Sequence, residues 1–159
     1  MKFLNYLAIA AIALGTVSCD DDDDPVQKEV VSPVELIAGS YNGGMSMIVG
    51  EPGEPSDATV VLKAQKDGKL TIVIPEVGSG KMVMPELELT DAKVEKVAGK
   101  EGEYTISKEA FVINNPGMPL TNKKGLKGTV KGTSIELSYD IQPGAMPMAI
   151  QFSFKGTKK

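Results

Sequence analysis

Two kinds of residue in this chain could do chemistry: a single thiol, Cys19, and a set of methionine thioethers gathered beside prolines and turns. Cys19 follows Val17-Ser18 and is itself followed at once by Asp20, Asp21, Asp22, Asp23 and Asp24. The methionines fall as Met84-Pro85, Met118-Pro119 and Met146-Pro147, with Met82 and Met148 beside them. Much of the catalytic repertoire is missing. There is no His, Trp or Arg, which excludes imidazole acid–base work, the Ser-His-Asp constellation and His-containing zinc sites. Glu86 and Glu88 share one face of an extended strand, but hydrolysis of glycosides by paired carboxylates also wants aromatic platforms. The mature chain offers only Tyr41, Tyr104, Tyr139, Phe111, Phe152 and Phe154. Gly78-Ser79-Gly80-Lys81 has Met82 where a phosphate loop needs Ser or Thr, and Pro75 where it needs its first Gly. The aspartate run lacks the Gly turn and spaced ligands of a calcium loop. The expectation is a non-enzymatic protein with no catalytic residues, no metal site and no cofactor.

The residues before Cys19 say where that thiol goes. Met1-Lys2 opens the chain, an apolar run from Phe3 to Leu14 is broken only by Asn5, and Gly15-Thr16-Val17-Ser18 leads to the cysteine. A positive start, a short apolar core and small residues before a cut describe a secretory signal, and the core is too short to anchor in a bilayer. Val17-Ser18-Cys19 resembles the bacterial lipobox, with Thr16 where Leu is usual. That resemblance implies cleavage before Cys19 and lipidation of its thiol, and two or three acyl chains anchor stably where one does not. Asp20 to Asp24 form a self-repelling, solvated stretch. They resemble the acidic export signal of Bacteroidetes lipoproteins, which implies an outer-membrane lipoprotein exposed at the cell surface. From Asp20 to Val34 the tether reaches roughly 20 Å. The expected organisation is therefore a signal peptide at 1–18, a lipidated cysteine and acidic flexible tether at 19–34, and one domain at 35–159.

That domain is electrically neutral, with 15 Lys against 15 Asp plus Glu between Glu35 and Lys159. Lys123, Lys124, Lys127 and Lys131 cluster, but without Arg or exposed aromatics they read as a solvated edge. Nucleic acid is not an expected partner.

The elements that must carry the methionines are strands. Ile135, Leu137, Tyr139 and Ile141 alternate with Glu136, Ser138 and Asp140, and Leu70-Ile72-Ile74 and Ile150-Phe152-Phe154 repeat the pattern. Period two means a strand with one apolar face. Asp67-Gly68 and Gly132 mark tight hairpins. Eight strands follow, at about 39–49, 58–66, 69–76, 82–97, 102–113, 119–131, 133–141 and 147–157, the fourth bent or delayed by Pro85. No connection is long enough for a parallel crossover. The fold expected is an all-β, eight-stranded antiparallel up-and-down barrel, which leaves no open edge; a β-sandwich is the alternative.

Ala38-Gly39-Ser40-Tyr41-Asn42-Gly43, Gly117-Met118-Pro119-Leu120, Gly125 to Gly132 and the closing Phe152-Ser153-Phe154-Lys155-Gly156-Thr157 resemble the calycin-like β-barrel lipoproteins of Bacteroidetes. The resemblance covers about residues 36–158 and implies a lipocalin-like barrel. Lipocalins carry Gly-x-Trp on the first strand; Gly39-Ser40-Tyr41 has no Trp, so no lipocalin ligand is carried over.

A meander sorts its loops. Turns around 51–55, 77–80, 114–117 and 142–144 gather at one end, and the short turns and both chain termini at the other. Met82, Met84, Met118, Met146 and Met148 thus share the long-loop end, away from the tether. Flexible, polarisable methionines suit adaptable apolar contacts. Two readings follow: a small apolar ligand bound at this end, or a docking module for a protein partner. A filled barrel with an apolar rim would favour docking, and a cavity of several hundred cubic ångströms would favour ligand capture.

Overall fold

The protein is described here by a computed structural model covering residues 31–79 and 82–159. The period-two pattern becomes period-two burial: Ile135, Leu137, Tyr139 and Ile141 face inward, as do Ile150, Phe152 and Phe154. In chain order the elements are α1 (Pro33–Ile37), β1 (Gly39–Val49), β2 (Glu51–Pro52), β3 (Ser56–Ala64), β4 (Leu70–Ile74), β5 (Val77–Ser79), β6 (Met82–Met84), β7 (Leu87–Lys96), β8 (Glu103–Lys108), β9 (Phe111–Ile113), β10 (Leu120–Asn122), β11 (Leu126–Lys131), β12 (Ser134–Pro143) and β13 (Ile150–Lys158).

Eight of these strands close a barrel. The antiparallel order β1-β3-β4-β7-β8-β11-β12-β13 returns to β1, with Tyr41 opposite Lys158 and Ile48 opposite Gln151 across the closing seam. The sandwich alternative falls because every barrel strand is paired on both sides. Closure needs curvature and close approach. At Asp91, which adopts a positive φ of 61°, the β4–β7 register shifts by one residue, a bulge that bends the sheet. At the seam Gly43 pairs with Gly156. A Cβ on Gly43 would overlap the Lys155 carbonyl oxygen, and one on Gly156 would lie 2.6 Å from the Phe154 ring. The residues that carry the family resemblance on the first and last strands are the ones that shut the barrel.

The structure breaks three of the expected strands. The span 82–97 splits at Pro85-Glu86, because a proline supplies no N–H to a ladder. The span 102–113 becomes β8 and β9, and 119–131 becomes β10 and β11, the outer halves pairing with each other as a hairpin whose β10 edge joins β12. A further difference lies at the start. Pro33 and Val34, which the sequence assigns to the tether, belong to α1, because Val34 and Ile37 bury their side chains at the short-turn end. The helix packs on β3 and β7, and the Ser32 N–H donates to the Glu35 carboxylate at 3.2 Å. The Tyr41 hydroxyl donates to the Ile37 carbonyl at 2.8 Å, and the Lys159 N–H to the Ser40 carbonyl at 2.9 Å. The base of the barrel is thereby covered.

Between base and mouth the interior is side chain. Leu62, Leu70, Ile72, Leu89, Ile106, Leu126 and Phe154 are each at most 2% exposed. A chamber wide enough for a ligand would leave its lining accessible to a water-sized sphere, and these residues are not.

Candidate functional site

The alternation of β1 builds the mouth. Tyr41, Gly43, Met45 and Met47 share its inward face, and Met45 is buried opposite Phe154 on one side and Ser56 on the other. Met47 lies one step higher, opposite Phe152. The Ser56 hydroxyl donates to the Met45 carbonyl at 3.3 Å, and the Gly53 N–H to the Met47 carbonyl at 3.3 Å. These bonds fold the β1–β3 connection over the strand end. The β5–β6 hairpin closes the other flank by pairing Val77 with Met84, both buried. Between the two lies an open groove of about 250 Å³, lined by Met45, Met47, Glu54, Ser56, Val77 and Ser79. Level with Met47, the ring of Phe152 stacks on that of Tyr139 at 5.0 Å with 8° between planes.

The second flank is the β9–β10 hairpin. A buried polar knot holds it where it leaves the barrel. The Asn122 side-chain amide donates to the Asp140 carbonyl at 2.6 Å and to its carboxylate at 3.0 Å, and the Gly125 N–H donates back to Asn122 Oδ1. Lys124 stands 3.8 Å from the same carboxylate. Beyond the knot the Gly144 N–H donates to the Pro119 carbonyl at 2.7 Å, and the Gln142 side chain donates to the Met146 carbonyl.

The methionines expected at this end therefore form two groups. Met118 and Met146 are half-buried and belong to loops joined by the Gly144–Pro119 bond. Met84 sits beside the groove, buried and paired with Val77. Met148 is 53% exposed on the β12–β13 connection, and Met82 lies on β6. Met45 and Met47 complete the groove and are absent from the sequence expectation, although the same two-residue alternation places them on the inward face. Cys19 and Asp20 to Asp24 lie outside the described residues.

Apolar exposure collects at the same end. Val49, Val83, Val112 and Met148 are 39%, 37%, 60% and 53% exposed, and the other two exposed large apolar residues among the described ones, Val31 just before α1 and Leu36 on it, lie at the base. Burial pushes the Tyr139 hydroxyl far above the ordinary tyrosine value, and desolvation raises Tyr41. Hydrogen bonds from Lys131 and Lys100 hold Glu103 below the usual carboxylate value on the outer wall. No cluster of three or more carboxylate or thiol groups suited to a metal occurs among the described residues.

Comparison with known proteins bears on the fold. The family profile of the calycin-like beta-barrel domain matches residues 37–157. A crystal structure from Bacteroides fragilis, of a protein described as a candidate outer membrane protein, superposes with a TM-score of 0.64 at 23% identity, covering 80% of this chain and 53% of that one. This chain thus spans about half of that protein's length, and at that identity the likeness is one of fold. No curated protein matches the chain.

Proposed function

The chain belongs to the calycin-like β-barrel domain family, and from that premise we propose a non-enzymatic outer-membrane lipoprotein whose barrel docks a protein partner through its methionine-bearing loop end. One observation carries the reading: the interior is filled while exposed apolar side chains gather on that rim. Small-molecule sites usually enclose about 300–1,000 Å³. The groove at the mouth, about 250 Å³ and open, has room for one large side chain of a partner.

The anchoring half of the proposal rests on residues 1–24. A signal peptide ending at Ser18, lipid on Cys19 and the Asp20–Asp24 run place the domain on the outer membrane, facing outward. Because α1 and the C-terminus share the short-turn end, the tether joins opposite the rim, which then points away from the membrane. Incorporation of labelled palmitate that Cys19→Ser abolishes is the expected result.

Site-specific photo-cross-linking in the producing bacterium tests the docking. A photoreactive residue at Val112 or Met148 is expected to give one adduct of defined mass, while the same residue at Lys66 or Lys100, on the short turns, gives none. Equal adducts from base and rim, or none from the rim, contradict the proposal. The second reading, capture of a small apolar ligand, is favoured by the Met45–Met47 groove.

A further inference from the structure

The charge around the groove indicates the chemistry of the partner, an inference that deepens the docking reading and rests on it. Six exposed carboxylates, those of Glu51, Glu54, Asp57, Glu76, Glu86 and Glu88, lie on the loops and upper strand ends of β1, β3, β4 and β7. This is the sector that holds Met45, Met47 and Val77. The lysines described on these strands and their turns, Lys63, Lys66, Lys69, Lys93 and Lys96, lie toward the opposite end. Lys81, which falls between β5 and β6 in the sequence, lies outside the described residues. With it counted, the sector carries a net charge of −5.

Elsewhere most carboxylates are answered: six of the nine described are in ion pairs, and Glu35, Glu95 and Glu101 are the exceptions. Every ion pair among the described residues draws on Asp67, Asp91, Glu103, Glu109, Glu136 or Asp140, and none on the six of this sector. A domain that is neutral as a whole has therefore segregated uncompensated negative charge around its apolar groove. Like charges held together oppose the compact state, and a cationic partner relieves that repulsion.

We propose that the partner is a protein presenting a cationic segment with an apolar side chain at its centre. Lysines or arginines face the six carboxylates, and the apolar side chain enters between Met45, Met47 and Val77, where flexible thioethers adapt to its shape. Charge speeds the encounter and the apolar contact slows release.

The test uses the full lipidated chain in nanodiscs of zwitterionic lipid, with two synthetic probes: a lysine–leucine peptide and a glutamate–leucine peptide of equal length. The lysine–leucine peptide is expected to bind and the glutamate–leucine peptide not. The triple variant Glu51→Lys/Glu54→Lys/Glu86→Lys is expected to slow association of the first peptide about tenfold at low salt, an effect that about 1 M salt abolishes. Met47→Glu is expected to speed its release. Glu95→Lys/Glu101→Lys, at the other end, should leave both rates unchanged. Equal binding of the two peptides, or an equal response to the base variant, overturns the inference. A rim cross-link that survives the triple variant undiminished overturns the cationic chemistry while leaving docking intact; loss of the rim cross-link in the unmodified protein removes docking itself.

Discussion

The two ends of the barrel are built from the same strands and differ in what closes them. At the base, connections are tight turns, α1 lays Val34 and Ile37 over the opening, and Tyr41, Lys158 and Lys159 bond back to the helix and the first strand. At the mouth, connections run long enough to form their own hairpins, and valines and a methionine stay exposed. On β1 full burial ends at Met45, and Met47 above it is half-buried. The base and seam hold the fold, while the mouth leaves apolar side chains exposed.

The largest loss of stability is expected at the seam. Gly43→Ala puts a methyl group into the Lys155 carbonyl, and overpacking of this kind is expected to cost about 3 kcal/mol or more, read as a fall in the urea midpoint. A loss under about 1 kcal/mol would mean that the seam relaxes easily.

Next in size is Ile37→Ala. Ile37 is 2% exposed under the base, so a cavity costing roughly 2–4 kcal/mol is expected. Met148→Ala at the rim should stay within about 0.5 kcal/mol. Similar losses at both sites would erase the distinction between the ends.

A smaller contrast separates the two buried tyrosines. Tyr41→Phe removes the bond to the Ile37 carbonyl and is expected to cost about 1 kcal/mol. The Tyr139 hydroxyl has no hydrogen-bond partner among the described residues, and Tyr139→Phe is expected to change neutral-pH stability by less than about 0.5 kcal/mol.

The smallest effect appears only in alkali. Burial raises both hydroxyls above the ordinary value of 10.0. Above that pH the unfolded chain loses phenolic protons that the folded chain keeps, so the unfolded state binds fewer protons and stability declines as pH rises. The denaturation midpoint is expected to fall between pH 9 and pH 11, and less steeply in Tyr139→Phe.

Much of the barrel was legible in the sequence because half-buried strands write themselves as alternation. Leu70-Ile72-Ile74 and Ile135 to Ile141 fall where the pattern places them, and the meander assigned each loop to an end. What stayed hidden was not periodic. The five-residue α1 is too short for a helical repeat, though Ser32-Pro33 with Glu35 three residues after the serine is a helix-start signal. The splits within 102–113 and 119–131 depend on a tertiary event, the pairing of β10 with β12. Met45 and Met47 stand apart from the prolines and turns beside the other five methionines of the domain, and they reach the mouth from inside a strand.

On the docking reading proposed above, recognition occurs on the rim of a filled barrel rather than inside it. Titrating a fluorescent fatty-acid-like probe into the full chain, beside its Met47→Glu variant, tests this most directly. No saturable binding to either protein is the result expected; saturable one-to-one binding that Met47→Glu abolishes would contradict the claim and make the mouth a ligand site.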